Sequence, residues 1–200
     1  GALSVIAIAG KSNLFNAPET YMNKISANVS ENDVVDLDFS IKKNIDNLSQ
    51  YKNKRPEDLT VCILDRPRHK QIINELNNYN VKLKLITDGD VSGALLVTEE
   101  KYCVDIFLGT GGGPEGVLAA AALDTFNCGF QGRFLFETDK DKQRAKLMGI
   151  NDFSKKYEIN EIVSGDSIFC ATGITSGDLV SCIKIEGDEY LSETLVTHKH

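Results

Sequence analysis

The chain has 200 residues, 42% of them hydrophobic and 26% charged, with a formal net charge of −7. That is the composition of an ordinary globular protein with enough chain to bury a core. The acidic balance, and the absence of any Lys/Arg block longer than Lys42-Lys43 or Lys155-Lys156, argue against nucleic acid or an anionic membrane as partner. No apolar run approaches the roughly 20 residues that cross a bilayer, and Leu3 to Ala9 lacks the basic flank of a secretory signal. Five widely spaced cysteines, Cys62, Cys103, Cys128, Cys170 and Cys182, form no Cys-x-x-Cys pair. They predict a reducing, cytoplasmic setting and no zinc site.

In chain order, Ala2 to Ala9 reads as a strand that begins abruptly, and an unpartnered apolar edge there favours self-association. Residues 10–39 read as irregular, with a turn at Ala17-Pro18. Ser40 caps a helix with Ile41, Ile45 and Leu48 on one face. The polar, proline-containing stretch 52–59 suggests a domain boundary. From Thr60 the pattern becomes strand, helix, strand. Val61 to Leu64 is a strand, a helix carries Ile72, Ile73 and Leu76, and Val81 to Ile86 is a second strand. Asp88-Gly89-Asp90 then precedes a short helix with Val91, Ala94 and Leu95. Val104 to Leu108 is a third strand, followed by the glycine run Gly109, Gly111, Gly112 and Gly113. Pro114 and Glu115 open a helix reaching about Phe126. Phe130 to Phe136 is a fourth strand and Asp139 to Met148 a charged helix. Strands are expected at Ser167 to Ala171, Val180 to Ile185 and Tyr190 to Thr197, the last two joined as a hairpin at Glu186-Gly187-Asp188. The alternation predicts a layered α/β fold with a mostly parallel sheet and a terminal hairpin.

In open α/β sheets ligands bind beyond the carboxyl ends of the strands. Three successive strand ends here carry unusual polar groups. The first offers Asp65, Arg66, Arg68 and His69, the second Asp88 and Asp90, the third the glycine run and Glu115. Guanidinium groups recognise phosphate bidentately. Aspartates accept hydrogen bonds from sugar hydroxyls or hold a metal, and glutamate is a hard oxygen ligand suited to Mg²⁺ or Mn²⁺. Glycines before a helix N-terminus let backbone amides approach an anion. Together these predict a phosphorylated, polyhydroxylated ligand with a divalent cation. Each group also has a structural reading when taken alone. Arg-Pro-Arg can be a solvated loop, Asp-Gly-Asp a turn, Glu115 a complement to the helix dipole, Tyr21 partial core and His69 a surface or capping residue.

Rival motifs fail on inspection. Gly109-x-Gly111-x-x-Pro114 puts Pro where a dinucleotide fingerprint needs its third Gly. Gly111-x-x-x-x-Gly116 is followed by Val117-Leu118 rather than Lys-Ser/Thr, so it is no P-loop. There is no Gly-x-Ser-x-Gly elbow, and His198-x-His200 lies at a terminus where fraying is expected.

Several blocks in order resemble the class II fructose-1,6-bisphosphatase family, which includes fructose-1,6-/sedoheptulose-1,7-bisphosphatases. They are Ala17-Pro18 with Tyr21-Met22-Asn23-Lys24-Ile25, Asp65-Arg66-Pro67-Arg68-His69, Asp88-Gly89-Asp90-Val91 and Gly112-Gly113-Pro114-Glu115-Gly116. Gln131-Gly132-Arg133 and Ala171-Thr172-Gly173-Ile174-Thr175 with Gly177-Asp178-Leu179 continue the series. The resemblance implies the layered α/β sandwich of the lithium-sensitive, metal-dependent sugar phosphatases. It also implies a cytoplasmic homo-oligomer, dimer or tetramer, that hydrolyses the 1-phosphate of fructose 1,6-bisphosphate. By the same resemblance, Tyr21, Arg66, Pro67, Arg68, Asp88, Gly89, Asp90 and Gly112 would bind substrate, and Glu115 would be a ligand of Mg²⁺ or Mn²⁺. Residues 1–59 would be the remnant of an N-terminal catalytic domain and 60–200 a substrate-binding domain. Family members carry most metal-binding carboxylates and an acidic-Gly-Thr motif before the equivalent of Ala2. Catalytic residues are therefore expected upstream of Gly1, and this chain is expected to be a truncated form that does not hydrolyse alone. The alternative is a non-catalytic sugar-phosphate-binding module.

Overall fold

The computed structural model describes residues 1–31 and 33–200. The strands are β1 (Leu3–Ala9), β2 (Tyr21–Ala27), β3 (Thr60–Leu64), β4 (Lys82–Ile86), β5 (Ile106–Gly112) and β6 (Gly129–Leu135). They continue with β7 (Tyr157–Glu158), β8 (Ser167–Gly173), β9 (Lys184–Glu186), β10 (Glu189–Leu191) and β11 (Thr194–Lys199). The helices are α1 (Ile41–Lys52), α2 (Lys70–Asn78), α3 (Asp90–Leu95), α4 (Gly113–Thr125), α5 (Asp139–Leu147) and α6 (Ile159–Ile162). Among the described residues no helix is long and apolar enough to cross a membrane.

The large sheet has the order β4-β3-β5-β2-β6-β7. β3 is parallel to β4 and β5, as the strand–helix alternation predicts. The expectation of a mostly parallel sheet needs correction, because β2 enters antiparallel between β5 and β6. β7 is antiparallel to β6 as well, so the sheet is mixed. β3, β4, β5 and β6 still point the same way, with one reversed strand among them.

That reversed strand falls in the stretch read as irregular. Its sequence, Tyr-Met-Asn-Lys-Ile-Ser-Ala, places Met22, Lys24 and Ser26 on one face and Asn23 and Ile25 on the other. Both faces are covered, and the polar members are matched individually. Ser26 donates to the Ala94 carbonyl at 3.0 Å, and Lys24 is ion-paired with Asp90.

Helices α1 and α2 cover one face of this sheet. Ile45, Leu48 and Leu76 meet Ile25, Val61, Ile106 and Leu108 there. Ser40 caps α1 by accepting from the Lys43 N–H at 3.1 Å. The other face packs on α3 and α4 through Met22, Phe107, Ala94, Val117 and Ala120. α4 is apolar almost all round, as a helix buried on two sides must be. Its far side, with Leu118 and Ala122, meets the small antiparallel sheet β1-β8-β11 at Val5, Phe169, Ala171 and Leu195. The molecule is thus layered helix, sheet, helix, sheet.

The predicted strand Val180 to Ile185 is also corrected. Leu179 and Val180 are buried in the cluster under the small sheet, and only Lys184–Glu186 is extended. That short β9 pairs with β10 across Gly187-Asp188, where Gly187 takes φ +65. The last predicted strand is split, its second part β11 pairing with β8.

Candidate functional site at the strand ends

Because β3, β4 and β5 are parallel, their carboxyl ends share one edge of the sheet. β2, running the other way, begins at that same edge, where Tyr21 lies between Gly112 and Leu135. The topology therefore gathers Tyr21, the 66–68 segment, the 88–90 segment, Gly112 and Glu115. Every candidate site residue lies at this edge.

After β3 the chain turns through Arg66, with Pro67 opening a short 3-10 turn that ends at His69. Arg68 is exposed, yet its guanidinium is held. Nε and one terminal nitrogen donate to the Thr110 carbonyl at 2.9 and 2.7 Å, and the group lies 5.0 Å from the Tyr21 ring centroid. Two of its N–H groups are spent on the scaffold and the rest face outward, which fixes a cation beside the aromatic ring. Arg66 is exposed.

His69, expected as a surface or capping residue, precedes α2, but its side chain makes no capping bond there. It is fully buried. Its Nε2 accepts the Thr110 N–H at 2.9 Å, so Nδ1 carries the proton and donates to the Leu64 carbonyl at 2.8 Å. β3 and β5 pair only at Val61 and Cys62, and His69 bridges the gap that opens beyond. Burial pushes its pKa below the usual histidine value, against the Leu64 carbonyl and helped by the nearby Arg68 charge. A neutral imidazole committed at both nitrogens is a structural staple.

Asp88 is exposed beyond β4. Gly89 takes φ +81, the left-handed conformation that glycine adopts without strain, and turns the chain into α3. Asp90, at the start of α3, turns inward to Lys24. The glycine run extends the strand expected to end at Leu108. Gly109, Gly111 and Gly112 lie within β5, and α4 begins at Gly113. Their reason is spatial. A Cβ at Gly111 would overlap the Asp90 carboxylate and come within 3.2 Å of Lys24 Nζ. One at Gly113 would come within 2.8 Å of Phe134 and 2.9 Å of the Pro18 carbonyl. One at Gly112 would overlap the Glu115 carboxylate. Gly111 and Gly112 clear space for charged side chains at the strand ends, and Gly113 for Phe134 and the Pro18 backbone.

Beside Tyr21 and Gly112 opens a cavity of about 560 Å³, also lined by Pro114, Glu115, Leu135 and Glu137. Tyr21 therefore touches both a guanidinium and an acidic hollow. Among the described residues, no group of three His, Cys, Asp or Glu side chains converges as a metal site. A hard cation such as Mg²⁺ or Mn²⁺ takes about six oxygen donors. Glu115, with Asp90 tied to Lys24, does not supply a comparable set. The described residues do not bring together a divalent-cation site.

Sequence reasoning missed Lys24 and Thr110 as parts of this edge, and misplaced His69. The Tyr21-Met22-Asn23-Lys24 block holds one of them, but nothing in its spacing marks the lysine as buried.

Fold and edge together define a layered α/β protein that presents guanidinium and carboxylate groups at its strand ends. The family model of bacterial, glpX-encoded fructose-1,6-bisphosphatase matches residues 1–200, and the chain belongs to that family. It is 35% identical over 209 residues to the D-fructose 1,6-bisphosphatase class 2/sedoheptulose 1,7-bisphosphatase of Synechococcus sp. (strain JA-3-3Ab), a match covering 98% of this chain and 60% of that protein. The proteins of the same name from Synechocystis sp. (strain ATCC 27184 / PCC 6803 / Kazusa) and Trichodesmium erythraeum (strain IMS101) are 34% and 33% identical, with 98% of this chain and 61% of each relative covered. The chain thus spans about 60% of the length of the curated relatives it matches.

Proposed function

We propose that this chain is the substrate-gripping part of a sugar-bisphosphate phosphatase acting on fructose 1,6-bisphosphate or sedoheptulose 1,7-bisphosphate. The reaction adds water across the bond between phosphorus and the oxygen on carbon 1. The observation that carries the reading is the held Arg68 guanidinium beside Tyr21, at the strand ends of a chain matched along its whole length by the family. Arg68 and the exposed Arg66 take a phosphate, with Pro67 setting the turn between them. Asp88 and Asp90, oriented by Gly89, accept from sugar hydroxyls, Gly112 brings backbone close, and Tyr21 packs on the ligand.

Glu115 is proposed as one carboxylate toward Mg²⁺ or Mn²⁺. Further donors are needed beyond those the described residues bring together, so no hydrolytic step is assigned to this chain's own groups. The same observation favours a second reading, a sugar-phosphate-binding module that does not hydrolyse. The setting proposed is cytoplasmic, from the cysteine usage, and the state a homo-oligomer, dimer or tetramer. The small sheet supports the latter. Ile6 and Val196 flank Cys170 on its outward face and are 52% and 60% exposed.

Amide chemical shifts on adding fructose 1,6-bisphosphate test the grip. Shifts at Tyr21, Arg68 and Gly112, with none at Asp105 on the opposite sheet edge, are expected. Shifts confined elsewhere would overturn the site. Release of phosphate by this chain would overturn the second reading and show that its own groups suffice.

A further inference from the structure

Lys24 is among the largest fully buried side chains of the described residues, and the one charged member of that group. It stands in the middle of the large sheet, opposite Gly109 on one neighbour and Gly132 on the other. Burying an ammonium costs several kcal/mol unless it is paired and hydrogen-bonded. An apolar residue at this position, next to Met22, would avoid that cost. The surrounding sequence instead makes room for the charge. A Cβ at Gly116 would come within 3.1 Å of Lys24 Cε, and one at Gly111 within 3.2 Å of Nζ. Gly111 thus leaves room for the Lys24–Asp90 pair, and Gly116, whose Cβ would meet Met22 Sδ first, for Met22 and the lysine stem.

The partner of the lysine is Asp90. Nζ contacts only one carboxylate oxygen, Oδ2, and the Asp90 side chain remains 13% exposed against 1% for the lysine. Among the described residues Oδ1 has no side-chain partner. The pair is therefore asymmetric, with the lysine enclosed and the aspartate the more accessible partner.

We propose that Lys24 is a positioning residue, clamping Asp90 Oδ2 so that Oδ1 is presented to a sugar hydroxyl of the ligand. This rests on the substrate reading above and deepens it. Lys24 does not touch the ligand. It fixes the rotamer of a group that does. Phosphate itself is gripped by Arg66 and Arg68, which the lysine does not hold.

The division of labour gives the test. Calorimetric titrations of the wild-type chain, Lys24→Met, Asp90→Asn and the double variant are made with fructose 1,6-bisphosphate and with inorganic phosphate. Lys24→Met should weaken the sugar bisphosphate at least about tenfold, the loss expected for one charge-assisted hydrogen bond. Its affinity for inorganic phosphate should stay within about twofold of wild type, a difference of a few tenths of a kcal/mol. The double variant should bind no worse than Asp90→Asn alone, because the lysine acts through the aspartate. A Lys24→Met chain that binds the sugar like wild type, or loses both ligands equally while folded, overturns the inference and leaves the substrate reading standing. A wild-type chain that binds neither ligand overturns both. If Lys24→Met does not fold, Asp90→Asn must show the same selective loss, and loss of both ligands or of neither would refute the clamp.

Discussion

Arg68 donates twice to the carbonyl of Thr110, at 2.9 and 2.7 Å, across the gap between two strand ends. This contact aims the guanidinium rather than neutralising it, since its partner is an uncharged backbone oxygen. Arg68→Lys keeps the charge but loses the planar fork. It is expected to weaken phosphate binding by about tenfold, corresponding to roughly 1.4 kcal/mol, with little change in stability because the side chain is exposed. Calorimetry and urea denaturation on the same preparations check this. Full affinity in the lysine variant would mean that charge alone suffices.

His69 links stability to pH. Its folded-state pKa lies below the unfolded value of about 6.5. Between the two, the unfolded chain binds a proton that the folded chain refuses, so stability rises with pH. The contribution is present above pH 6.5 and is lost as pH falls below it. His69→Ala leaves the Leu64 carbonyl and the Thr110 N–H without their partner. It should cost about 2–4 kcal/mol at pH 7.5 and flatten the decline in stability between pH 7 and pH 5. Urea titrations across that range read both effects. An unchanged slope in the variant would assign the pH dependence to another group.

Two neighbouring glycines should respond differently to alanine. At Gly111 the added methyl meets the Asp90 carboxylate, which is held in place by the buried Lys24. Displacing it breaks a buried pair, so Gly111→Ala should destabilise by roughly 3–5 kcal/mol. At Gly112 the methyl meets Glu115, the free end of an exposed side chain that can rotate away. Gly112→Ala should therefore unfold within about 0.5 kcal/mol of wild type, as surface substitutions usually do. Thermal unfolding of the pair checks the contrast, and equal losses would mean that both glycines serve the backbone alone.

The outward face of the small sheet carries two cross-strand rows, Ile6-Cys170-Val196 and Ile8-Ile168-His198. Alternation puts Leu3, Val5 and Ala7 inward against α4 and leaves these rows uncovered. Light scattering should give a mass above the monomer, falling toward it in Ile6→Lys and Val196→Lys. A monomeric wild type at high concentration would refute self-association through this face.

Much of this architecture was readable without coordinates. The periodicity of Ile41, Ile45 and Leu48 and the capping Ser40 located α1. The apolar runs before Asp65, Asp88 and the glycines located β3, β4 and β5 with their ends together. β2 escaped because Asn23, Lys24 and Ser26 interrupt the apolar pattern that marks a central strand, and their partners lie far along the chain. Asp90, for example, is 66 positions from Lys24. Once β2 was missed, the sheet could only look parallel. His69 escaped because a buried histidine is recognised by its two backbone partners, which tertiary structure supplies. The glycine run reads as a place for backbone amides to approach an anion, whereas in the fold its missing side chains leave room for neighbouring groups.

We propose that the strand-end edge grips a sugar bisphosphate through Arg68. Calorimetric titration of fructose 1,6-bisphosphate into the wild-type chain and into Arg68→Ala tests it most directly. Saturable 1:1 binding is expected, weakening by about 10- to 100-fold in the variant, the range for losing charge-assisted hydrogen bonds to phosphate. Wild-type affinity in Arg68→Ala, with the fold intact, would contradict it.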